Sequence, residues 1–188
     1  MQNRIVSVLV MLFVSSAILA QHPEKKSEEE AFQTHSRFTV MMAHYMFPHV
    51  VQMETGNKND LVPAWGVDYD YWFHPKWAIG LHSDLILQQY KIERKNDATE
   101  LSRSFPISSS LVGIFKPGKH LAFVSGFGKE FEKEETLNLW NIGVEYGFEL
   151  PRNWELSLNF IYEDKFHAYD SWIMGIGISK SVFSKKRF

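Results

Sequence analysis

The sequence predicts an all-β protein, an eight-stranded antiparallel up-and-down transmembrane β-barrel. Eight segments of about ten residues, the length of a tilted membrane strand, alternate apolar and polar side chains. Their connections alternate between longer polar stretches and short turns that contain proline. Aromatic residues make up 15% of the 188 residues and collect near the ends of these segments. Together these three observations indicate strands that cross a lipid layer.

The N-terminus predicts export. Residues 1–20 begin with a short segment containing Arg4, followed by an apolar run from Ile5 to Phe13. This run is shorter than the roughly 20 residues of a membrane-spanning helix, so we expect a cleaved secretory signal peptide. Residues 21–36 are polar and charged and are expected to form a periplasmic lead-in. The barrel is then expected to occupy residues 37–188.

The clearest hairpin runs from Pro63 to Tyr90 around a turn at residues 74–76. One face of its two strands is apolar with aromatic ends, whereas the other is small, polar or charged, because successive side chains of a strand point to opposite faces. The pattern recurs in the later strands. We therefore expect the apolar face to contact lipid and the polar face to line the barrel interior.

The remaining strands show the same alternation of apolar and polar side chains, more clearly in some than in others. The first strand, Arg37 to Phe47, has the least distinct alternation, and we expect Met41, Ala43, Tyr45 and Phe47 to share its lipid face. Longer polar connections follow strands one, three, five and seven, and short turns follow strands two, four and six, as in outer-membrane barrels. The other strands are expected at 105–116, 120–131, 137–150, 154–163 and 172–182, and the long polar connections at 49–62, 91–104, 132–136 and 164–170.

Aromatic side chains near both strand ends are predicted to form two interfacial girdles, as aromatic rings do at the two surfaces of a membrane. A soluble barrel would have no need of two such belts. The predicted girdle residues are Trp65, Phe73, Trp77, Phe115, Trp140, Phe148, Trp154, Tyr162 and Trp172.

The signal peptide, the eight alternating segments, the turns His-Pro-Lys, Pro-Gly-Lys and Pro-Arg-Asn, and the terminal Phe188 resemble a known family. They are similar to the small eight-stranded outer-membrane β-barrel proteins of Gram-negative bacteria, the OmpX-like and OmpA-transmembrane-domain-like proteins. The resemblance covers residues 37–188 and is architectural. It implies a location in the cell outer membrane, and its aromatic last residue resembles the family's signal for barrel assembly.

Inward-facing polar residues predict a polar network in the lumen, formed by Asp68, His82, Asp84, Glu145 and Asn159. The hairpin turns place Asp68 opposite His82 and Glu145 opposite Asn159. Since side chains fill the interior of an eight-stranded barrel, these groups should meet and pair. Acids outnumber bases in this set, so either a carboxylate is held protonated or Arg and Lys side chains reach in from elsewhere. The functional alternative is a proton path or a small-ion site.

Several kinds of chemistry find no support in the sequence. The absence of cysteine excludes disulfides and thiol catalysis, and a formal charge of −2 without a basic stripe argues against nucleic acid as a partner. We expect no catalytic residues, no cofactor and no metal site. His82 and Ser83 are the one tempting catalytic pair within a strand, but neighbouring strand residues face opposite sides.

The predicted function is that of an integral outer-membrane β-barrel with a structural or protein-interaction role, for example as a small subunit of a larger outer-membrane complex. Its expected partners are outer-membrane lipid and other outer-membrane proteins, and no small-molecule substrate is identified. One alternative is a lipid A-modifying enzyme of the deacylase or acyltransferase type. Another is a secreted soluble barrel of the lipocalin kind, which would bury its apolar face.

Overall fold

The computed structural model describes residues 32–47, 50–53 and 61–183, with the backbone alone described at 50–53. The predicted signal peptide, most of the predicted lead-in and the terminal Phe188 lie outside the described residues. No helix in the described part of the chain is long and apolar enough to cross a membrane.

Eight strands close into an antiparallel barrel in which each strand pairs with the next along the chain and the last pairs with the first. The predicted fold class is confirmed. The strands of the barrel are β1 (His35–Met46), β3 (Leu61–His74), β4 (Trp77–Ile86), β7 (Ile107–Phe115), β8 (Leu121–Phe131), β9 (Leu137–Leu150), β10 (Trp154–Lys165) and β11 (Tyr169–Phe183). The turns that follow β3, β7 and β9 lie at one end of the barrel, here called the turn end, and the other connections lie at the opposite end, the loop end.

The barrel has its apolar side chains outside and its charged side chains inside. Leu111 is 68% exposed and Phe127 is 67% exposed, whereas Asp70 and Glu130 are fully buried within the lumen. A lipocalin-type barrel would show the opposite sense. The outer surface is therefore suited to lipid, and the polar groups meet inside, where each needs a partner.

The expected orientation of the first strand was wrong. Met41, Ala43, Tyr45 and Phe47 were expected to face lipid, but all four are buried inside the barrel. Arg37 shares their face and is also buried, where it meets three carboxylates. With the opposite orientation this guanidinium would point toward lipid without a partner, which explains why β1 turns its odd-numbered residues inward.

Two connections that were expected to be polar loops contain strands instead. β2 (Val50–Met53), β5 (Gln89–Glu93) and β6 (Glu100–Ser104) form a separate three-stranded sheet in the order β2-β5-β6, here called the cap. The Lys95 amide in the turn between β5 and β6 donates to the Ala168 carbonyl in the turn between β10 and β11 at 2.8 Å, which joins the cap to the barrel. The buried cap residues Ile92 and Leu101 pack in one apolar cluster with Phe47 of the barrel.

The last predicted loop is much shorter in the structure. Residues 164–170 were expected to connect two strands, but β10 continues to Lys165 and β11 begins at Tyr169. Only residues 166–168 form the turn. As a result Lys165 and Ser171, which read as loop or loop-edge positions in the sequence, are buried in the lumen.

Candidate functional site

The turn end of the lumen is filled by an ionic network around Arg37. Its guanidinium donates to Asp70 at 2.8 Å, to Glu145 at 2.9 Å and to Glu155 at 2.9 Å. The Lys116 ammonium adds a second bond to Glu155 at 3.1 Å. These five residues, the Arg37 network, come from four strands and one turn, so the network forms only when the barrel is closed.

His82 extends this network toward the middle of the barrel. Its Nε2 lies 2.9 Å from Asp70, and its Nδ1 lies 3.9 Å from Asp68, the residue directly across the strand pair. The Asp70 carboxylate sits over Gly80, where an added Cβ would come within 2.1 Å of Oδ1. Glycine at this position therefore gives the carboxylate the room it needs to reach both Arg37 and His82.

The loop end of the lumen contains a second network around Glu130. Its carboxylate accepts from Arg103 at 2.8 Å and from the Tyr169 hydroxyl at 2.6 Å, and the Lys165 ammonium lies 3.6 Å away. Lys165 also pairs with Glu163 and donates to Ser171 at 2.9 Å. This group, the Glu130 network, fills the loop end of the lumen. Each of its charges has an opposite partner, as buried charges require.

Arg103 ties the cap to the barrel mouth. It lies on β6, is buried, and donates both to Glu130 and to the Glu135 carbonyl at 2.9 Å. Burial alone would lower the pKa of this guanidinium, but Glu130 outweighs that effect and raises the pKa above its ordinary value. Burial also raises the pKa of Tyr90 in the cap, whose hydroxyl lies 2.9 Å from that of Tyr169. Both groups therefore keep their protons at neutral pH.

A small cavity separates the two networks. Its volume is about 20 Å³ for the centres of water molecules, room for roughly one or two of them. Two buried acceptors, Oδ1 of Asp84 and Oδ1 of Asn141, have no hydrogen-bond partner among the described residues. The other oxygen of Asp84 accepts from the Tyr45 hydroxyl at 3.2 Å. The cavity is lined by Met41, Asp68, His82, Asp84, Ser110, Val124, Asn141, Glu145, Asn159, Ile161, Glu163 and Ile173.

All five residues of the predicted lumen network line this cavity. The strand register pairs Asp68 with His82 and Glu145 with Asn159, as the sequence had indicated. Their closest partners are nonetheless different ones, since Glu145 binds Arg37 and the Asn159 amide donates to Ser157 at 3.1 Å. The assignment of a shared role to the five residues remains a prediction.

Several lumen residues were missed in the sequence, and a signal existed for some of them. Glu130 and Glu163 fall on the inward face of their strands by simple alternation. Arg37 and Lys165 could not be placed in this way, because Arg37 begins the strand with the least distinct alternation and Lys165 lies in the predicted connection 164–170. Arg103 lies in a connection that reads as a charged loop, so its burial depends on the cap.

The nine predicted girdle residues all lie on strand positions that alternate with the buried ones. Near the turn end the rings of Trp77 and Phe115 lie 4.5 Å apart. Near the loop end the rings of Tyr162 and Trp172 lie 4.9 Å apart. Pairs of rings on neighbouring strands are well placed for a membrane interface, and the girdle function stays a prediction.

Two further features bear on chemistry. Ser83 lies on the opposite face from His82, and its hydroxyl is 2.9 Å from that of Ser109, so the two residues do not form a nucleophile and base pair. Within residues 32–47, 50–53 and 61–183, no group of three or more His, Cys, Asp or Glu is arranged to hold a metal ion.

Solved structures of outer-membrane barrels resemble this chain. The Yersinia pestis attachment invasion locus protein Ail, solved in complex with the heparin analogue sucrose octasulfate, is 15% identical, with 79% of this chain and 99% of that one covered and a TM-score of 0.51. OprG of Pseudomonas aeruginosa is 10% identical, with 81% and 98% covered and a TM-score of 0.55. The N-terminal β-barrel domain of Pseudomonas aeruginosa OprF is 12% identical, with 80% and 100% covered and a TM-score of 0.50.

No protein-family model matches the chain, and neither does any curated protein. At these identities the likeness to solved structures shows the fold. The closed barrel, its apolar outer surface and these likenesses together show that the chain has the fold of the small eight-stranded outer-membrane β-barrels.

Proposed function

We propose that this protein is a structural and interaction module of the outer membrane, which offers surfaces to other envelope proteins and neither conducts solutes nor catalyses a reaction. The observation that carries the proposal is the filled lumen. The Arg37 network occupies one end, and the Glu130 network with the cap residue Arg103 occupies the other. Side chains fill the interior of this eight-stranded barrel apart from a cavity of about 20 Å³, so the surfaces large enough for a protein partner are external.

Two external surfaces are available for such contacts. The outward face of the cap strands β5 and β6 is hydrophilic, with Lys91 and Glu100 exposed and 3.7 Å apart. A surface of this kind suits a partner outside the membrane. The lipid-facing wall is apolar, with Leu111 and Phe127 its most exposed side chains, and would suit lateral packing against another barrel.

Photo-crosslinking in whole cells tests the proposal at both surfaces. A photoreactive amino acid placed at Ser102 samples the outward face of the cap, and one at Leu111 samples the lipid wall. We expect a discrete adduct with an envelope protein at one or both positions. Lipid adducts alone at both positions would contradict an interaction role. Purified protein in planar bilayers should show no stable conductance, and a steady current would contradict the filled lumen as its basis.

The enzymatic alternative makes a different prediction. A lipid A deacylase or acyltransferase would alter the acyl chains of lipid A, which mass spectrometry of cells with and without the protein would detect. We expect the two spectra to be identical. The separation of His82 inside the barrel from Ser83 outside it supports this expectation. A change in acyl chain number would overturn the non-enzymatic assignment.

A further inference from the structure

The central cavity has a surplus of negative charge. The three carboxylates of Asp70, Glu145 and Glu155 share only two cations in their ion pairs, Arg37 and Lys116, and Glu163 pairs with Lys165. Two further carboxylates, those of Asp68 and Asp84, also line the cavity. His82 is the one basic side chain in the cavity lining, and its shorter contact is with Asp70. Buried carboxylates without a matching positive charge are strongly destabilising unless a proton or a cation joins them.

The unpartnered atoms of the cavity are both acceptors. Oδ1 of Asp84 and Oδ1 of Asn141 are buried without a protein donor among the described residues. Asn141 as a whole is only 7% exposed. Buried acceptors of this kind are satisfied by a cation or by a hydrogen-bond donor in the cavity. Gly66 lies against this site, since an added Cβ would come within 2.6 Å of the same Asp84 oxygen.

We propose that the central cavity binds a small monovalent cation between the carboxylates of Asp68 and Asp84 and the amide oxygen of Asn141. The cavity volume of about 20 Å³ leaves room for one ion with a single water molecule. Two carboxylates, one amide oxygen and a single water supply few ligands for Ca²⁺, which takes six to eight oxygens, and the cavity has no room for the several waters that Mg²⁺ keeps. The site would stabilise the barrel by balancing its central charge, independently of any surface role.

The test compares thermal unfolding of the full chain in chloride salts of Na⁺, K⁺ and N-methyl-D-glucamine at equal ionic strength. N-methyl-D-glucamine is too large to enter the cavity and serves as the blank cation. We expect the unfolding midpoint, read from the gel mobility of folded and unfolded protein, to rise by about 3 °C or more in Na⁺ or K⁺ at ten times the dissociation constant. The rise should saturate with ion concentration.

Variants test whether the ion dependence of the unfolding midpoint comes from this cavity. Asp84→Asn and Asn141→Ala should each remove most of the ion dependence, and Asp84→Asn should also raise the midpoint in N-methyl-D-glucamine because it removes an unbalanced charge. Asp97→Asn in an exposed cap turn and Asn138→Ala on the outward face of β9 are the matched controls and should keep the full dependence. Equal midpoints of the wild-type protein in all three salts would overturn the proposal. So would an ion dependence that persists unchanged in Asp84→Asn.

Discussion

Replacing Arg37 with glutamine should destabilise the barrel strongly. The guanidinium contacts Asp70, Glu145 and Glu155 at 2.8 to 2.9 Å. Two of these carboxylates keep another partner in the variant, since His82 stays 2.9 Å from Asp70 and Lys116 stays 3.1 Å from Glu155. The loss therefore falls mainly on Glu145, which makes no other ion pair among the described residues.

The expected magnitude follows from this distribution. Removing one partner of a buried ion pair costs about 3–5 kcal/mol, because it leaves a charge in a low-dielectric interior. With two of three carboxylates still partnered, we expect the free energy of unfolding to fall by about 3 kcal/mol. Urea unfolding of the protein in lipid vesicles, followed by tryptophan fluorescence, measures it. Adding Glu145→Gln to the Arg37→Gln variant should recover part of the loss, since the uncompensated charge is then gone.

The control removes a positive charge elsewhere. Lys76→Gln acts on an exposed lysine in the β3–β4 turn and should change the free energy of unfolding by less than about 0.5 kcal/mol. A difference of less than about 1 kcal/mol between Arg37→Gln and Lys76→Gln would refute the reasoning, because it would mean that the three buried contacts contribute little.

Three further predictions concern other parts of the barrel. Gly80→Ala should lower the unfolding midpoint because its Cβ would displace the Asp70 carboxylate, whereas Gly113→Ala, whose nearest contact is at 3.9 Å, should have little effect in the same assay. Arg103→Ala should speed hydrogen exchange of the cap amides by about tenfold or more, and Ser102→Ala on the opposite face of β6 should leave the rates unchanged. Leu111→Arg should reduce the stability in vesicles by about 2–4 kcal/mol if this side chain lies near the centre of the bilayer, and an unaltered urea midpoint would argue against its contact with lipid.

The barrel and much of its interior could be predicted because the alternation has a period of two. Each side chain of a strand such as β9 is assigned to a face by counting, and short turns then fix which residues stand opposite one another. Asp68 and His82 are paired in the structure for this reason. The same counting places Glu130 on the inward face of β8.

The orientation of β1 could not be found by counting. Residues 40–43 are apolar on both faces, so the pattern offers no contrast between lipid and lumen. The deciding contacts join Arg37 to Asp70, Glu145 and Glu155 on three other strands. These residues are separated from Arg37 by 33, 108 and 118 positions along the chain. No local pattern carries that information. The cap was missed for a similar reason, since the charged side chains of β5 and β6 hide the alternation of Tyr90 and Ile92.

The Arg37 network couples charge balance to closure of the barrel. Asp70, Glu145 and Glu155 lie on β3, β9 and β10, whereas their common cation lies on β1, the strand that joins both ends of the sheet. Before β1 pairs with β3 and β11, these carboxylates face a forming interior with only Lys116 and His82 for balance. Closing the ring therefore completes the backbone pairing and brings the shared cation to these three carboxylates in one step. An open or misregistered sheet would keep buried carboxylates unpaired, and this penalty favours the register in which β1 turns Arg37 inward.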